Sequence, residues 1–218
     1  MDTPSIVIII PAYNEENNIS KILKYFEKNF KVIVIDDCSK DKTFNVAKNF
    51  NAITIRNEKN LGYEATLEKG IFHAIKLNFD YAITFDADGE HDLNAIINFK
   101  NLIDLNYDLI LGNRSFTNRL SEKFAKFLFY KTWKIKDPFC GMKAYKLKHV
   151  KQIGYFDRYK SVGTDLALTM IKRKLKFINT DITSNKREGR PKFGGVLSGN
   201  YKICKAILSS YIHHRLTK

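Results

Sequence analysis

Short apolar runs alternate with helical spacings along the chain. Five runs predict buried strands, at residues 5–10, 31–35, 52–56, 81–85 and 108–111. Apolar residues at helical spacing predict helices at residues 15–29, 41–50, 62–77, 92–105, 122–134 and 165–174. This alternation indicates right-handed crossovers and an α/β, Rossmann-like fold, in which helices cover both faces of a mainly parallel sheet.

The patterning also divides the chain. Residues 1–195 are predicted to form one main domain, and residues 196–218 an amphipathic helix. This helix is too short and too polar to span a bilayer, so it either belongs to the same domain or lies on a membrane surface. A chain of 218 residues with 44% hydrophobic content can bury a full core.

Polar clusters follow three of the predicted strands, at residues 13–15, 36–37 and 86–91. Ligands of open α/β sheets bind beyond the carboxyl ends of the strands. Because parallel strands end at the same edge of a sheet, we expect the three clusters to lie along one rim.

The strand predicted at residues 81–85 ends in an acidic stretch. Asp86 and Asp88 are two positions apart and can point the same way, and Gly89 allows a turn that brings in Glu90. Oxygen ligands of this kind suit Mg²⁺ or Mn²⁺. A turn that merely caps the next helix is the alternative interpretation from the spacing alone.

Charge indicates an anionic partner. There are 37 Lys and Arg residues against 23 Asp and Glu, a formal net charge of +14, which fits nucleic acid, a membrane surface or a phosphorylated substrate. The three cysteines have no metal-type spacing, and neither a signal peptide nor a spanning segment is found. The protein is therefore expected to be cytoplasmic.

Four segments in order resemble the family 2 inverting glycosyltransferases: residues 8–16 (IIIPAYNEE), 34–43 (VIDDCSKDKT), 60–62 (NLG) and 86–91 (DADGEH). Residues 137–145 (DPFCGMKAY) add a fifth similar segment. The chain is most similar to the polyprenyl-phosphate branch, typified by dolichyl-phosphate mannose synthases. That branch has Gln where this chain has Glu90.

The resemblance implies a GT-A fold, a nucleotide-sugar donor linked to GDP or UDP, and Mg²⁺ or Mn²⁺ held by the acidic motif. Asp88 and Glu90 are then metal ligands, and Asp88 serves catalysis by holding the ion that neutralises the diphosphate. Asp86 either shares the ion or lies nearer the donor ribose.

Residues upstream are implied to bind the nucleotide. Pro11, Tyr13 and Glu15 would form a wall and an edge for base and ribose, and Asp37 would accept a hydrogen bond from the base. Without the resemblance, the positions of Tyr13 and Glu15 are typical of an ordinary helix start with an acid in the first turn.

Two downstream residues are further catalytic candidates. Residues 112–115 (GNRS), directly after the strand predicted at residues 108–111, resemble the Gly-Ser-Arg segment that follows this strand in the family, which implies that the Arg114 guanidinium faces the diphosphate or an acceptor phosphate. Asp165 falls where many relatives have an acidic residue that can deprotonate a hydroxyl, so the resemblance implies that it is a general base if the acceptor is a hydroxyl. It is a helix cap or an acceptor-orienting group if the acceptor is a phosphate, which is already an anion.

A basic loop at residues 185–195 resembles a phosphate-binding loop of the same branch. Arg187, Arg190 and Lys192 are its candidate phosphate-binding residues, and the flanking glycines suit a lid. Upstream, the helix predicted at residues 122–134 interleaves aromatics with lysines, which suits either an ordinary amphipathic helix or a membrane-contacting one.

Together these features predict an inverting glycosyltransferase that moves a sugar to a polyprenyl phosphate, at the inner face of a membrane or beside a membrane-protein partner. A glycosyltransferase acting on a sugar hydroxyl in cell-surface polysaccharide synthesis is the first alternative. A basic nucleic-acid-binding module is the alternative from another class. Because a strand-end acid cluster would repel a phosphate backbone, we expect no nucleic-acid partner.

Overall fold

The computed structural model describes residues 3–89, 91–115, 120–183, 205–206 and 209–216. The strands are β1 (Ile6–Ala12), β2 (Lys31–Asp36), β3 (Ile53–Arg56), β4 (Tyr81–Thr84), β5 (Leu109–Arg114), β6 (Lys143–Lys146) and β7 (Phe177–Ile182). The helices are α1 (Ile19–Phe26), α2 (Thr43–Ala47), α3 (Tyr63–Lys76), α4 (Ala95–Asp104), α5 (Leu120–Trp133), α6 (Leu147–Ile153) and α7 (Thr164–Lys172).

One sheet runs through the molecule in the order β3-β2-β1-β4-β6-β5-β7. Strands β3, β2, β1 and β4 are parallel to one another, as are β5 and β7, whereas β6 is antiparallel to both β4 and β5. The predicted α/β fold with a mainly parallel sheet is confirmed. Strands β6 and β7 were not predicted, because β6 is four residues long with Lys at both ends and β7 is a half-polar edge strand.

Helices cover both faces of the sheet, as predicted. Alternate residues of β1 point to opposite sides: Ile8 and Ile10 join the core beneath α1 and α4, and Val7 and Ile9 join the core beneath α3 and α7. All four side chains are fully buried. Continuous burial on both faces explains why this strand reads as an unbroken apolar run.

The predicted helix at residues 15–29 is shorter in the structure, where α1 begins at Ile19. The preceding residues form a loop against the start of α2, and the Glu15 backbone N–H donates to the Thr43 hydroxyl at 2.7 Å. The loop therefore places the predicted nucleotide-binding residues at the sheet edge instead of on the helix.

The carboxyl ends of β1, β2 and β4 meet at one rim, as expected. Ala12 at the end of β1 is paired with Asp36 at the end of β2, and Ile9 is paired with Thr84 at the end of β4. The three polar clusters of the sequence therefore follow adjacent strand ends.

The described part of the predicted C-terminal helix, residues 205–206 and 209–216, is helical. Its Tyr211 ring packs against Trp133 and Phe129 of α5, with ring centroids 5.3 and 6.4 Å away. Among the described residues, no helix combines the length and apolar character that crossing a bilayer requires.

Candidate active site

Asp86 lies just beyond β4 and is held from three sides. The Tyr63 hydroxyl donates to Asp86 Oδ1 at 2.5 Å, and His91 Nε2 lies 3.0 Å from Asp86 Oδ2. The backbone at Gly141 lies so close that a Cβ there would overlap the carboxylate. Only glycine lets that backbone stand behind Asp86, so the segment at residues 137–145 shapes the acidic site.

The partners of Asp86 keep it ionised. Burial opposes the charge, but the hydrogen bonds from His91 and Tyr63 and the positive charge of Arg114 outweigh it, so the pKa of Asp86 is lowered. Burial also opposes a charge on His91, yet the contact with Asp86 raises the pKa of His91. Burial, followed by the charge of Asp86, raises the pKa of Tyr63 well above its ordinary value, so the phenol stays a hydrogen-bond donor.

The predicted metal ligands lie partly within the described residues. Asp88 is half-buried and precedes Gly89, whose φ of 77° makes the turn that the sequence indicated. Glu90 lies outside the described residues, and within them no three His, Cys, Asp or Glu side chains are gathered as a metal-binding group. The carboxylates of Asp86 and Asp88 nevertheless suit Mg²⁺ or Mn²⁺, which take oxygen ligands and keep positions for water and phosphate.

The predicted nucleotide-binding residues of β1 and its following loop lie at the same rim. Pro11 is buried within β1, Tyr13 is half-buried, and Glu15 is 8% exposed. The Glu15 carboxylate accepts a hydrogen bond from the Asn18 amide at 2.9 Å. This contact orients Glu15 beside the end of the strand.

Asp37 is bonded within the protein. Its side chain is 4% exposed and accepts from the backbone N–H groups of Leu61 and Gly62 at 2.8 and 2.9 Å, and from the Asn57 amide at 2.8 Å. These contacts fix the loop before α3. The predicted contact of Asp37 with a base would add to this structural role.

Arg114, at the end of β5, belongs to a cluster of charges. Its Nε and Nη2 atoms lie 2.8 and 3.1 Å from the two oxygens of Asp137, and Nη2 lies 3.3 Å from Glu122. Lys126 Nζ lies 3.2 Å from the same Asp137. The positive charge of Arg114 is close enough to Asp86 to lower its pKa, while two nitrogens of the guanidinium contact the buried carboxylate of Asp137.

Asp165 lies in the first turn of α7 and is fully buried. Arg158 makes a bidentate contact with it, Nε to Oδ2 at 2.8 Å and Nη2 to Oδ1 at 3.0 Å. His214 of the C-terminal helical segment approaches Oδ1 at 2.7 Å. The carboxylate therefore joins three parts of the chain.

This geometry corrects one expectation for Asp165. The helix α7 begins after Gly163 and has no side-chain cap, so Asp165 does not cap it. Burial opposes the charge, but the hydrogen bonds from His214 and Arg158 hold the pKa of Asp165 well below its ordinary value. A buried carboxylate with so low a proton affinity is poorly suited to act as a base.

The remaining predicted phosphate-binding residues, Arg187, Arg190 and Lys192, lie outside the described residues. Sequence reasoning missed two residues of the site region, one half-buried and one buried. It did not single out Tyr63, which directly follows the NLG segment, or Lys143, whose Nζ donates to the carbonyls of Pro138, Cys140 and Val162. In the sequence, Tyr63 is indistinguishable from the first residue of an ordinary helix, and Lys143 is indistinguishable from a surface cation.

A model described as glycosyl transferase family 2 matches residues 7–156. An uncharacterised protein of Methanocaldococcus jannaschii is 34% identical over 79% of this chain and 84% of its own. A UDP-N-acetylglucosamine–dolichyl-phosphate N-acetylglucosaminyltransferase of Methanococcus voltae is 31% identical, over 50% of this chain and 51% of its own length.

A dolichyl-phosphate beta-glucosyltransferase of Trichomonas vaginalis is 26% identical over 99% of this chain and 76% of its own. Among solved structures, glucosyl-3-phosphoglycerate synthase of Mycobacterium tuberculosis, in complex with Mn²⁺ and UDP, superposes with a TM-score of 0.76 at 15% identity. The superposition covers 97% of this chain and 80% of that one. It confirms the predicted GT-A fold.

Proposed function

This chain belongs to glycosyl transferase family 2, and we propose that it transfers a sugar from a nucleotide-sugar donor to a polyprenyl phosphate, inverting the anomeric carbon. Family membership confirms the glycosyltransferase predicted from the motifs. Donor, acceptor and stereochemistry are the proposal, because the chain spans only about half of the Methanococcus voltae relative.

One observation carries the donor side of the proposal. Asp86 is ionised and held in one orientation at the rim, with Asp88 two positions later and the nucleotide-binding candidates on the neighbouring strand end. Asp86, Asp88 and Glu90 would hold Mg²⁺ or Mn²⁺. The ion, when bound, neutralises the negative charge of the diphosphate leaving group as a Lewis acid.

The protein's own groups position the donor. Pro11, Tyr13, Glu15 and Asp37 would line the base and ribose of a GDP- or UDP-linked sugar. The UDP named for the Methanococcus voltae relative supports a uridine donor, whereas a mannosyltransferase relative of Pyrococcus furiosus leaves the sugar open.

The chemistry of the acceptor fits a phosphate. An oxygen of the acceptor phosphate attacks the anomeric carbon from the side opposite the diphosphate; the new carbon–oxygen bond forms as the bond to the diphosphate breaks. No proton has to be removed from a phosphate near neutral pH, so no base is required. The buried, paired state of Asp165 supports this route over a hydroxyl acceptor.

Cations would stabilise the two phosphate groups. Arg114 would contribute positive charge near the rim, although part of its fork contacts Asp137. Arg187, Arg190 and Lys192 would contact the diphosphate or the acceptor phosphate from the basic loop.

A face of α5 supports action at the inner face of a membrane. Phe124, Phe127 and Tyr130 are 61%, 62% and 48% exposed at helical spacing. Lys131 and Lys134 place their ammonium groups 5.8 and 5.3 Å from the Phe127 and Tyr130 ring centroids. Exposed aromatics among lysines suit the boundary of an anionic bilayer, where a polyprenyl phosphate resides.

The donor proposal is tested by isothermal titration with UDP and GDP, each with and without Mn²⁺. We expect binding to one nucleotide that strengthens at least tenfold with Mn²⁺. Absence of metal-dependent binding to both would contradict the proposal.

The acceptor proposal is tested by turnover with a polyprenyl phosphate and with soluble glycans. We expect product with the polyprenyl phosphate and none with the glycans. Asp165→Asn should retain this turnover. Turnover of a glycan hydroxyl that is lost in Asp165→Asn would favour the hydroxyl alternative.

The membrane proposal is tested by sedimentation with vesicles that contain anionic lipid. The double variant Phe124→Ser, Phe127→Ser should bind about tenfold more weakly, since each change removes exposed apolar area from the contact. A matched control is Ile97→Ser, Leu105→Ser, because these residues of α4 and its end are 50% and 62% exposed. Equal losses in both double variants would refute a role for the α5 face.

A further inference from the structure

Tyr63, the first residue of α3, contacts Asp86 but has no role in the chemistry proposed above. Tyr63 reaches from the start of this helix to Asp86, 23 positions later in the chain, with 2.5 Å between its hydroxyl and Asp86 Oδ1. The hydroxyl can only donate here, because an ionised carboxylate is an acceptor alone.

Asp86 is thereby fixed at both oxygens. Tyr63 occupies one lone pair of Oδ1, His91 contacts Oδ2, and the backbone at Gly141 closes the space behind the carboxylate. Each oxygen of a carboxylate has a second lone pair, so the contacts orient the group and still allow an external ligand. The side chain of Asp86 is 22% exposed, so its outer edge is reachable.

Tyr63 is itself held in place from the end of β2. Asp37 accepts from the backbone N–H groups of Leu61 and Gly62, immediately before Tyr63. Gly62 has a φ of 89°, which directs the chain into α3 at an angle that side-chain-bearing residues rarely adopt. The contacts form a continuous path from the end of β2, through the loop, to the carboxylate beyond β4.

We propose that Tyr63 is a positioning residue of the donor site, whose hydroxyl holds the Asp86 carboxylate in the orientation in which it would bind the metal ion of the donor diphosphate. This inference rests on the proposed function. It assigns Tyr63 no contact with the reacting atoms, and its effect passes through Asp86.

The structural alternative is that the hydrogen bond only stabilises the fold. In that case, removing the hydroxyl lowers the stability of the protein and leaves metal-dependent nucleotide binding unchanged. The two roles therefore differ in a quantity that can be measured.

The test compares Tyr63→Phe with Tyr25→Phe. Both substitutions delete one hydroxyl and keep the ring. Tyr25 lies on α1, and its hydroxyl donates to Asn94 Oδ1 at 2.8 Å, so it has no part in the contacts of Asp86. Titration calorimetry measures the affinity for whichever of UDP and GDP the unaltered protein binds, with and without Mn²⁺. Thermal unfolding is recorded with and without the same ligands.

We expect Tyr63→Phe to weaken Mn²⁺-dependent nucleotide binding about tenfold or more, in keeping with the loss of a hydrogen bond to a charged group. Binding without Mn²⁺ should match that of Tyr25→Phe. The rise in unfolding temperature on adding Mn²⁺ and nucleotide should be smaller than in Tyr25→Phe, a readout that still applies if Tyr63→Phe is less stable.

The outcomes separate this inference from the proposed function. No Mn²⁺-dependent binding by the unaltered protein would overturn both. Metal-dependent binding by the unaltered protein, with equal affinity in Tyr63→Phe, would overturn the role of Tyr63 alone. Equal weakening with and without Mn²⁺ would also overturn it, because a general distortion of the pocket would then explain the loss.

Discussion

Asp86 and Asp165 are both carboxylates that contact a histidine, yet their other partners and their burial differ. Asp86 accepts from a tyrosine hydroxyl and contacts a histidine, and part of its side chain is exposed. Asp165 is fully buried, with a bidentate arginine on one side and His214 on the other.

This difference shows which carboxylate can serve a ligand. A guanidinium that contacts both oxygens neutralises the charge and fixes the geometry, which suits an anchor between segments. Asp86 has no bidentate arginine among the described contacts and opens to the rim, so its charge is available to a cation or a sugar hydroxyl. Asp137 resembles Asp165 in this respect, because Arg114 and Lys126 neutralise it.

The largest effect is expected for Asp165→Asn. The substitution keeps the shape but removes the charge that Arg158 and His214 face, so the free energy of unfolding should fall by about 3 kcal/mol at pH 7. Denaturant unfolding measures the change, and nucleotide binding should stay within about twofold of the unaltered protein.

Asp104→Asn is the matched control for that experiment. Asp104 pairs with Lys100 at 3.1 Å on the surface, and such exposed pairs contribute less than about 1 kcal/mol. If Asp165→Asn destabilised no more than the control but abolished nucleotide binding, Asp165 would belong to the site, and the contrast with Asp86 would be wrong.

A smaller effect is expected for Asp88→Asn. Asp88, like Asp86, is a carboxylate whose charge would serve the metal ion. Removing one anionic oxygen ligand should weaken Mn²⁺-dependent nucleotide binding about 30-fold, equivalent to about 2 kcal/mol. The free energy of unfolding should change by less than about 1 kcal/mol, because Asp88 is only half-buried. Titration calorimetry with and without Mn²⁺ checks this, and unchanged metal dependence would remove Asp88 from the metal site.

Much of the donor side could be predicted from the sequence. The runs that became β1, β2 and β4 are apolar throughout because both faces of each strand are covered, and this composition is visible without a structure. The polar residues after them had to meet at one rim, since parallel strands end on the same side. The family resemblance then assigned chemistry to positions that local patterns alone left open.

The long-range pairings could not be predicted. His214 lies 49 positions after Asp165, and no local pattern specifies that contact. The sequence of α7 shows an acid in the first turn of a helix, which equally suits a cap, a base or an ion pair. Lys143 begins the antiparallel strand β6 and is 1% exposed, because three backbone carbonyls surround its ammonium group. Only the tertiary structure distinguishes such a lysine from a surface cation.

The pH dependence of stability offers the finest test of the contrast between Asp86 and Asp165. Because the folded-state pKa of Asp165 lies below that of the unfolded chain, its carboxylate stabilises the fold fully above about pH 4. This contribution is lost as the pH falls towards the folded-state pKa. The difference in unfolding free energy between the unaltered protein and Asp165→Asn should therefore be larger at about pH 5 than at about pH 3. Below about pH 4 it should shrink by up to about 1.4 kcal/mol per pH unit.

Denaturant unfolding of both proteins between about pH 7 and about pH 3 measures this difference. Other carboxylates titrate equally in the two proteins and cancel, and the small difference for Asp104→Asn should show no comparable change. A difference for Asp165→Asn that stayed constant to pH 3 would mean that the stabilisation comes from packing and not from charge. The contrast with Asp86 would then fail, because it requires that Arg158 and His214 stabilise the charge of Asp165.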